Sequence, residues 1–75
     1  GLSDYLTAYE LQKNMLQEMS THARGELLLG IADTYSRKGD NAKAEEFFTM
    51  VKTLLPANTP YAKSAAKWLE TKQPL

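Results

Sequence analysis

The chain has no cysteine, which excludes a disulfide framework, a thiolate nucleophile and a Cys-ligated zinc. It has no net charge, because nine Lys and Arg stand against nine Asp and Glu. Duplex-binding modules and polybasic membrane anchors both need a clustered basic excess, so neither nucleic acid nor a lipid surface is an expected partner. The longest apolar run, Leu27 to Ala32, falls far short of the ~20 residues that span a bilayer. No charged-then-apolar segment opens the chain as a signal peptide would. β-branched apolar residues are nearly absent, with only Ile31 and Val51, which disfavours strands.

Candidate chemistry is equally thin. A general acid or base needs a titratable group held in a cleft. His22 is the only histidine; beside Ser20 and Thr21 it reads as a solvated turn residue with no nucleophile placed next to it. One histidine without cysteine is a poor transition-metal site. Glu45 and Glu46 favour the dipole of a helix start rather than a catalytic carboxylate pair. Gly25 and Gly30 follow no strand and lack the Gly-x-Gly spacing of a phosphate-cradling loop. Lys63, Lys67 and Lys72 against Glu70 read as a solvated helix face. The expectation is a protein without enzymatic activity, cofactor or metal.

Ala, Leu, Glu, Lys and Met dominate what is there, and they favour helix. Ser20-Thr21, Lys38-Gly39-Asp40 and Pro56-Ala57-Asn58-Thr59-Pro60 punctuate the chain. They divide it into four helices at about 4–19, 22–37, 41–55 and 60–71, forming a single helical domain over 1–75. Ser3, Asp40 and Thr59 stand at N-cap positions. Pro60 sits at a first helical position, where its missing N–H costs nothing. Gly39 sits where a helix end takes a left-handed residue. Three-four spacing gives inward sets. In helix 1 these are Leu2, Tyr5, Leu6, Tyr9, Gln12, Met15, Leu16 and Met19, with Met15 and Met19 assigned to the core. In helix 4 they are Ala62, Ala65, Ala66 and Leu69, with Trp68 on an adjacent face and Gln73-Pro74-Leu75 fraying. Short loops force consecutive helices antiparallel.

Residues 25–58 carry a further pattern: Leu28, Ile31-Ala32 and Tyr35 before a turn at Gly39, then Ala44, Phe48, Val51 and Pro56. This resembles one tetratricopeptide repeat (TPR), a helix-turn-helix unit of about 34 residues. Two positions depart from the common pattern, Leu28 in place of Trp and Val51 in place of Ala, and both remain apolar. Ala62, Ala65, Ala66 and Leu69 follow as the first helix of a next repeat. Ala8, Leu11, Met15 and Met19 match the second helix of a previous one.

The resemblance implies an all-α, antiparallel helix-turn-helix array stacked as a right-handed superhelix. It also implies a non-enzymatic protein–protein interaction or assembly module. The partner is then a protein or peptide, or a second copy of the chain. The Pro-containing turn before an Ala-rich helix is similar to terminal repeats of bacterial cell-envelope TPR proteins. That implies the C-terminal part of a longer bacterial protein and leans toward the periplasm or envelope. Members that clamp a C-terminal carboxylate offer Lys or Arg and Asn at the positions matching Leu29 and Asp33; Leu29 cannot hold a carboxylate and Asp33 would repel it, so that mode does not carry over. A groove lined by Glu26, Leu29, Asp33 and Arg37 would suit a mixed apolar and polar peptide instead. Two alternatives stand beside this reading: a structural or homodimeric domain, and an accessory domain of an enzyme whose active site lies elsewhere. A core in a chain this short rarely nets more than ~3–5 kcal/mol, so help from neighbouring chain or a second copy is expected.

Overall fold

Three short polar side chains start three helices. Ser20 Oγ accepts from the Ala23 N–H at 3.1 Å, Asp40 Oδ1 from Lys43 N–H at 3.1 Å, and Thr59 Oγ1 from Ala62 N–H at 3.2 Å. Each satisfies a donor that the first helical turn leaves orphaned. The computed structural model describes residues 1–75 and contains helices and no strand. The elements are α1 (Leu2–Gln12), a 3-10 segment (Lys13–Glu18), α2 (Thr21–Arg37), α3 (Asn41–Leu54) and α4 (Pro60–Thr71). Gly39, at φ 86°, turns the chain between α2 and α3. Its N–H donates to Ser36 O, and the Asp40 N–H donates to Tyr35 O, each at 3.0 Å.

His22, at the start of α2, meets Tyr61 at the start of α4. Ser36, near the end of α2, meets Trp68 near the end of α4. So α2 and α4 run parallel, and α3 returns antiparallel between them. The result is a slab of 31 × 29 × 15 Å.

The core follows the small-and-large pattern of the sequence. Leu28, Ile31, Ala32, Ala44, Phe48, Val51 and Ala65 are fully buried. Ala32 and Ala44 are small enough to let α2 and α3 approach, and the Phe47 and Phe48 rings fill the flanks. Phe47 meets Tyr9 edge-on at 5.3 Å between ring centroids and stacks on Tyr35 at 6.0 Å. Leu69 is half-buried and packs against this cluster, whereas Pro56 is exposed and serves only to stop α3.

Four expectations need correction. Helix 1 does not run to residue 19: α1 ends at Gln12, and Met15 has non-helical torsions inside the 3-10 segment. The far end of the 3-10 segment is held from α2. The Arg24 guanidinium donates to the carbonyls of Leu16 at 2.7 Å, Met19 at 2.9 Å and Gln17 at 3.3 Å, and to Leu54 O at 2.6 Å. One half-buried cation therefore satisfies orphaned carbonyls from two separate helix ends. Second, Ser3 is not the cap, because the helix starts at Leu2 and Ser3 lies in its first turn. Third, Met15 is 53% exposed while Leu16 is buried. Leu16 stays on the face of Tyr5, Tyr9 and Gln12, and Met15 is carried off it; Met19 does pack on the core.

The fourth correction concerns α4. Trp68 is fully buried and stacked on Phe48 with ring centroids 4.6 Å apart, whereas Ala66 is exposed. The inward face is centred on Ala62, Ala65 and Trp68 because the indole N–H finds a buried acceptor in Ser36. Ala66 faces solvent because no element of the chain covers that side.

Candidate functional site

The face of α2 turned away from α3 carries Glu26, Leu29 and Asp33, spaced three and four residues apart so that they lie in one row. Together with Tyr5 of α1, Gly30 and Leu75 they line one open cleft of about 220 Å³. The approach of α1 depends on Gly30: a Cβ placed there would lie 2.5 Å from the Tyr5 ring. The same device recurs at the other crossing, where a Cβ on Gly25 would lie 2.5 Å from the Tyr61 ring. The two glycines are sockets for two tyrosines, one from each helix that flanks α2.

The cleft has an apolar floor and an acidic rim. Leu29 is half-buried and packs against the core. Asp33 Oδ2 accepts from Arg37 Nε at 3.0 Å, while its Oδ1 is buried without a partner. Glu26 is exposed and in no ion pair. Of the four residues expected to line a groove, Glu26, Leu29 and Asp33 come together. Arg37 lies outside the cleft, one turn on, and neutralises part of the Asp33 charge. Tyr5, Gly30 and Leu75 are additional. A glycine in a helix interior costs ~1 kcal/mol against alanine, and that cost was the readable signal at Gly30. Leu75 carries no local signal; Gln73–Leu75 lie exposed beyond α4, as expected of a frayed end, with Leu75 at the edge of the cleft.

A second concavity lies at the α1 end. Leu2, Leu6, Thr7, Glu10, Leu11 and Lys38 border an open cleft of about 770 Å³, and Leu11 is 76% exposed. Lys13 pairs with Glu10 at 2.8 Å. That hydrogen bond, and then the charge of the same carboxylate, raises the Lys13 ammonium above its ordinary pKa. The opposite end of the slab is polar, with Lys63, Ala66, Lys67 and Glu70 of α4 exposed. The two ends therefore differ in character, apolar at α1 and charged at α4.

His22 is exposed, and its Nδ1 lies 2.5 Å from the Tyr61 hydroxyl. No three His, Cys, Asp or Glu side chains gather as metal ligands, and no helix is long and apolar enough to cross a membrane. The chain gave no significant match to any family model, curated protein or solved structure.

Proposed function

We propose that this chain is a protein-interaction module of tetratricopeptide type, binding an extended peptide segment in the cleft on α2. On this reading α2 and α3 form one complete repeat and α1 and α4 are half-repeats. The observation that carries it is the convergence of Glu26, Leu29 and Asp33 with Tyr5 on one open, apolar-floored cleft. An apolar floor with a few oriented polar groups is what peptide recognition uses. The acidic rim favours segments that pair an apolar side chain with a cation. The Pro-bounded turn and Ala-rich α4 support a place within a larger bacterial protein of the cell envelope.

Selection from a random peptide library against the immobilised chain tests the reading. Selected peptides should shift the amide resonances of Leu29, Gly30 and Asp33, and the Leu29→Glu variant should lose them. Peptides that shift only α1 resonances would contradict it.

A second reading is favoured by the exposed Leu11 beside Leu2 and Leu6, an apolar end that a second copy would cover. Sedimentation across a concentration series decides it. A concentration-independent monomer removes self-association.

A further inference from the structure

Helix α1 is held differently from the other three. None of its residues is fully closed to water, whereas α2, α3 and α4 each bury at least three. Polar contacts tie α4 to the body at both ends: Tyr61 to His22, Trp68 to Ser36, and Lys72 to Glu45. The ion pairs of α1, Asp4 with the terminal ammonium and Glu10 with Lys13, stay within its own stretch of chain. Its one polar contact with the body is the Tyr9 hydroxyl on Met50 Sδ at 4.0 Å, and a thioether is a weak acceptor. What fastens α1 is therefore an apolar row. Tyr5 sits over Gly30 of α2, and Tyr9, one turn on, meets Phe47 of α3 edge-on. Leu2, Leu6 and Ala8 add partly buried surface.

The chain breaks its helix just beyond this row. Lys13, Asn14 and Met15 are exposed, and Met15 interrupts the helical torsions. From Leu16 onward the segment is fixed again. Leu16 is buried, and Arg24 donates to the carbonyls of Leu16, Gln17 and Met19. A thinly packed helix, a break and an anchored end thus follow in order.

We infer that α1 is a latch, which detaches from α2 and α3 as one unit about residues 13–15 while α2, α3 and α4 stay folded. Elements with few buried apolar contacts open locally at lower cost than the whole fold. At 11 residues, α1 is shorter than the ~12–15 below which an isolated helix in water is marginal. Detachment therefore unwinds it, and its amides open together. The inference stands on the packing and does not rest on the peptide reading. It bears on the same surface, because Tyr5 is a wall of the α2 cleft. The cleft has that wall only with α1 docked, and opening bares the Gly30 socket and the Phe47 ring.

Native-state hydrogen exchange of the wild-type chain across a series of low urea concentrations tests the latch. The amides of residues 6–12 should share one protection factor, at least about tenfold below those of residues 28–32 and 48–51. They should barely respond to urea, because little surface opens with them. Tyr5→Ala combined with Tyr9→Ala removes the fastening. In that variant residues 6–12 should exchange at the unprotected rate, while residues 28–32 stay protected and Trp68 keeps its buried-indole emission. Three results overturn the inference: α1 amides that match α2 and α3 in protection and urea response, protection that rises residue by residue along α1, or loss of Trp68 burial in the double variant.

Discussion

The indole N–H of Trp68 donates to the Ser36 hydroxyl at 2.7 Å, with both side chains closed to water. This bond fixes the end of α4 against the end of α2 and sets which face of α4 turns inward. Ser36→Ala leaves the indole donor buried and unpartnered, which costs ~1–3 kcal/mol. Trp68→Phe removes donor and need together and should cost less than the bond's loss implies when combined with Ser36→Ala. Chemical denaturation of the two single variants and the double variant measures the coupling. An additive result would mean that the bond does not hold the helices in register.

The two glycine sockets should respond differently to a methyl group. At Gly25 the nearest atoms are Cγ and Cδ of the Tyr61 ring, close to its attachment point. At Gly30 they are Cζ, Cε1 and Oη of Tyr5, the far end of a side chain that can swing. Gly25→Ala should therefore destabilise by roughly 1–3 kcal/mol. Gly30→Ala should come out near neutral, because alanine regains ~0.5–1 kcal/mol of helix propensity. Thermal melts of the two variants give the comparison. Gly30→Ala should also alter the cleft, as the displaced Tyr5 ring forms one of its walls.

Arg24 ties the 3-10 segment and the end of α3 to α2 through four carbonyls. Arg24→Lys keeps the charge but loses the planar fork, so it should not rescue. A loss of about 2 kcal/mol is expected for Lys and for Met, since hydrogen bonds to charged groups are each worth ~1.5–3 kcal/mol. Hydrogen exchange locates the effect. The Met19 and Leu55 amides, which close the last turns of the 3-10 segment and α3, should lose protection ahead of those in mid-α2.

The α2–α3 hairpin depends on Ala44 and Gly39. Ala44 is fully buried, and Ala44→Leu should cost ~1–3 kcal/mol by overpacking against α2. At Gly39 a side chain would meet open space, but φ is 86°. Gly39→Val thus acts by backbone conformation alone, about 1–2 kcal/mol. Gly39→Asn, which tolerates that conformation, should recover most of the loss. Equal melting of Gly39→Val and wild type would remove the turn from the account.

The same contrast explains what could be read from the chain. The bounds of α3 and α4 were legible because their signals are local: Asp40, Thr59 and Pro60 lie at the ends they define, and Gly39 at the turn. The close of the 3-10 segment was not legible, because Arg24 of the next helix binds its last carbonyls and also reaches Leu54, 30 residues away. Trp68 was misplaced for a similar reason, since its acceptor lies 32 residues earlier. Alanine spacing alone could not choose between Ala66 and Trp68. In the cleft, Glu26, Leu29 and Asp33 share one helix and its periodicity, so they were found together. Tyr5 and Leu75 come from other parts of the chain and meet them only through packing.

The most direct test of the interaction reading sets the two apolar surfaces against each other. Titration of one library-selected peptide into wild type, Leu29→Glu and Leu11→Glu, followed by isothermal calorimetry, compares the α2 cleft with the α1 end. The account predicts binding to wild type and Leu11→Glu with similar Kd and none to Leu29→Glu. Binding lost in Leu11→Glu and kept in Leu29→Glu would contradict it.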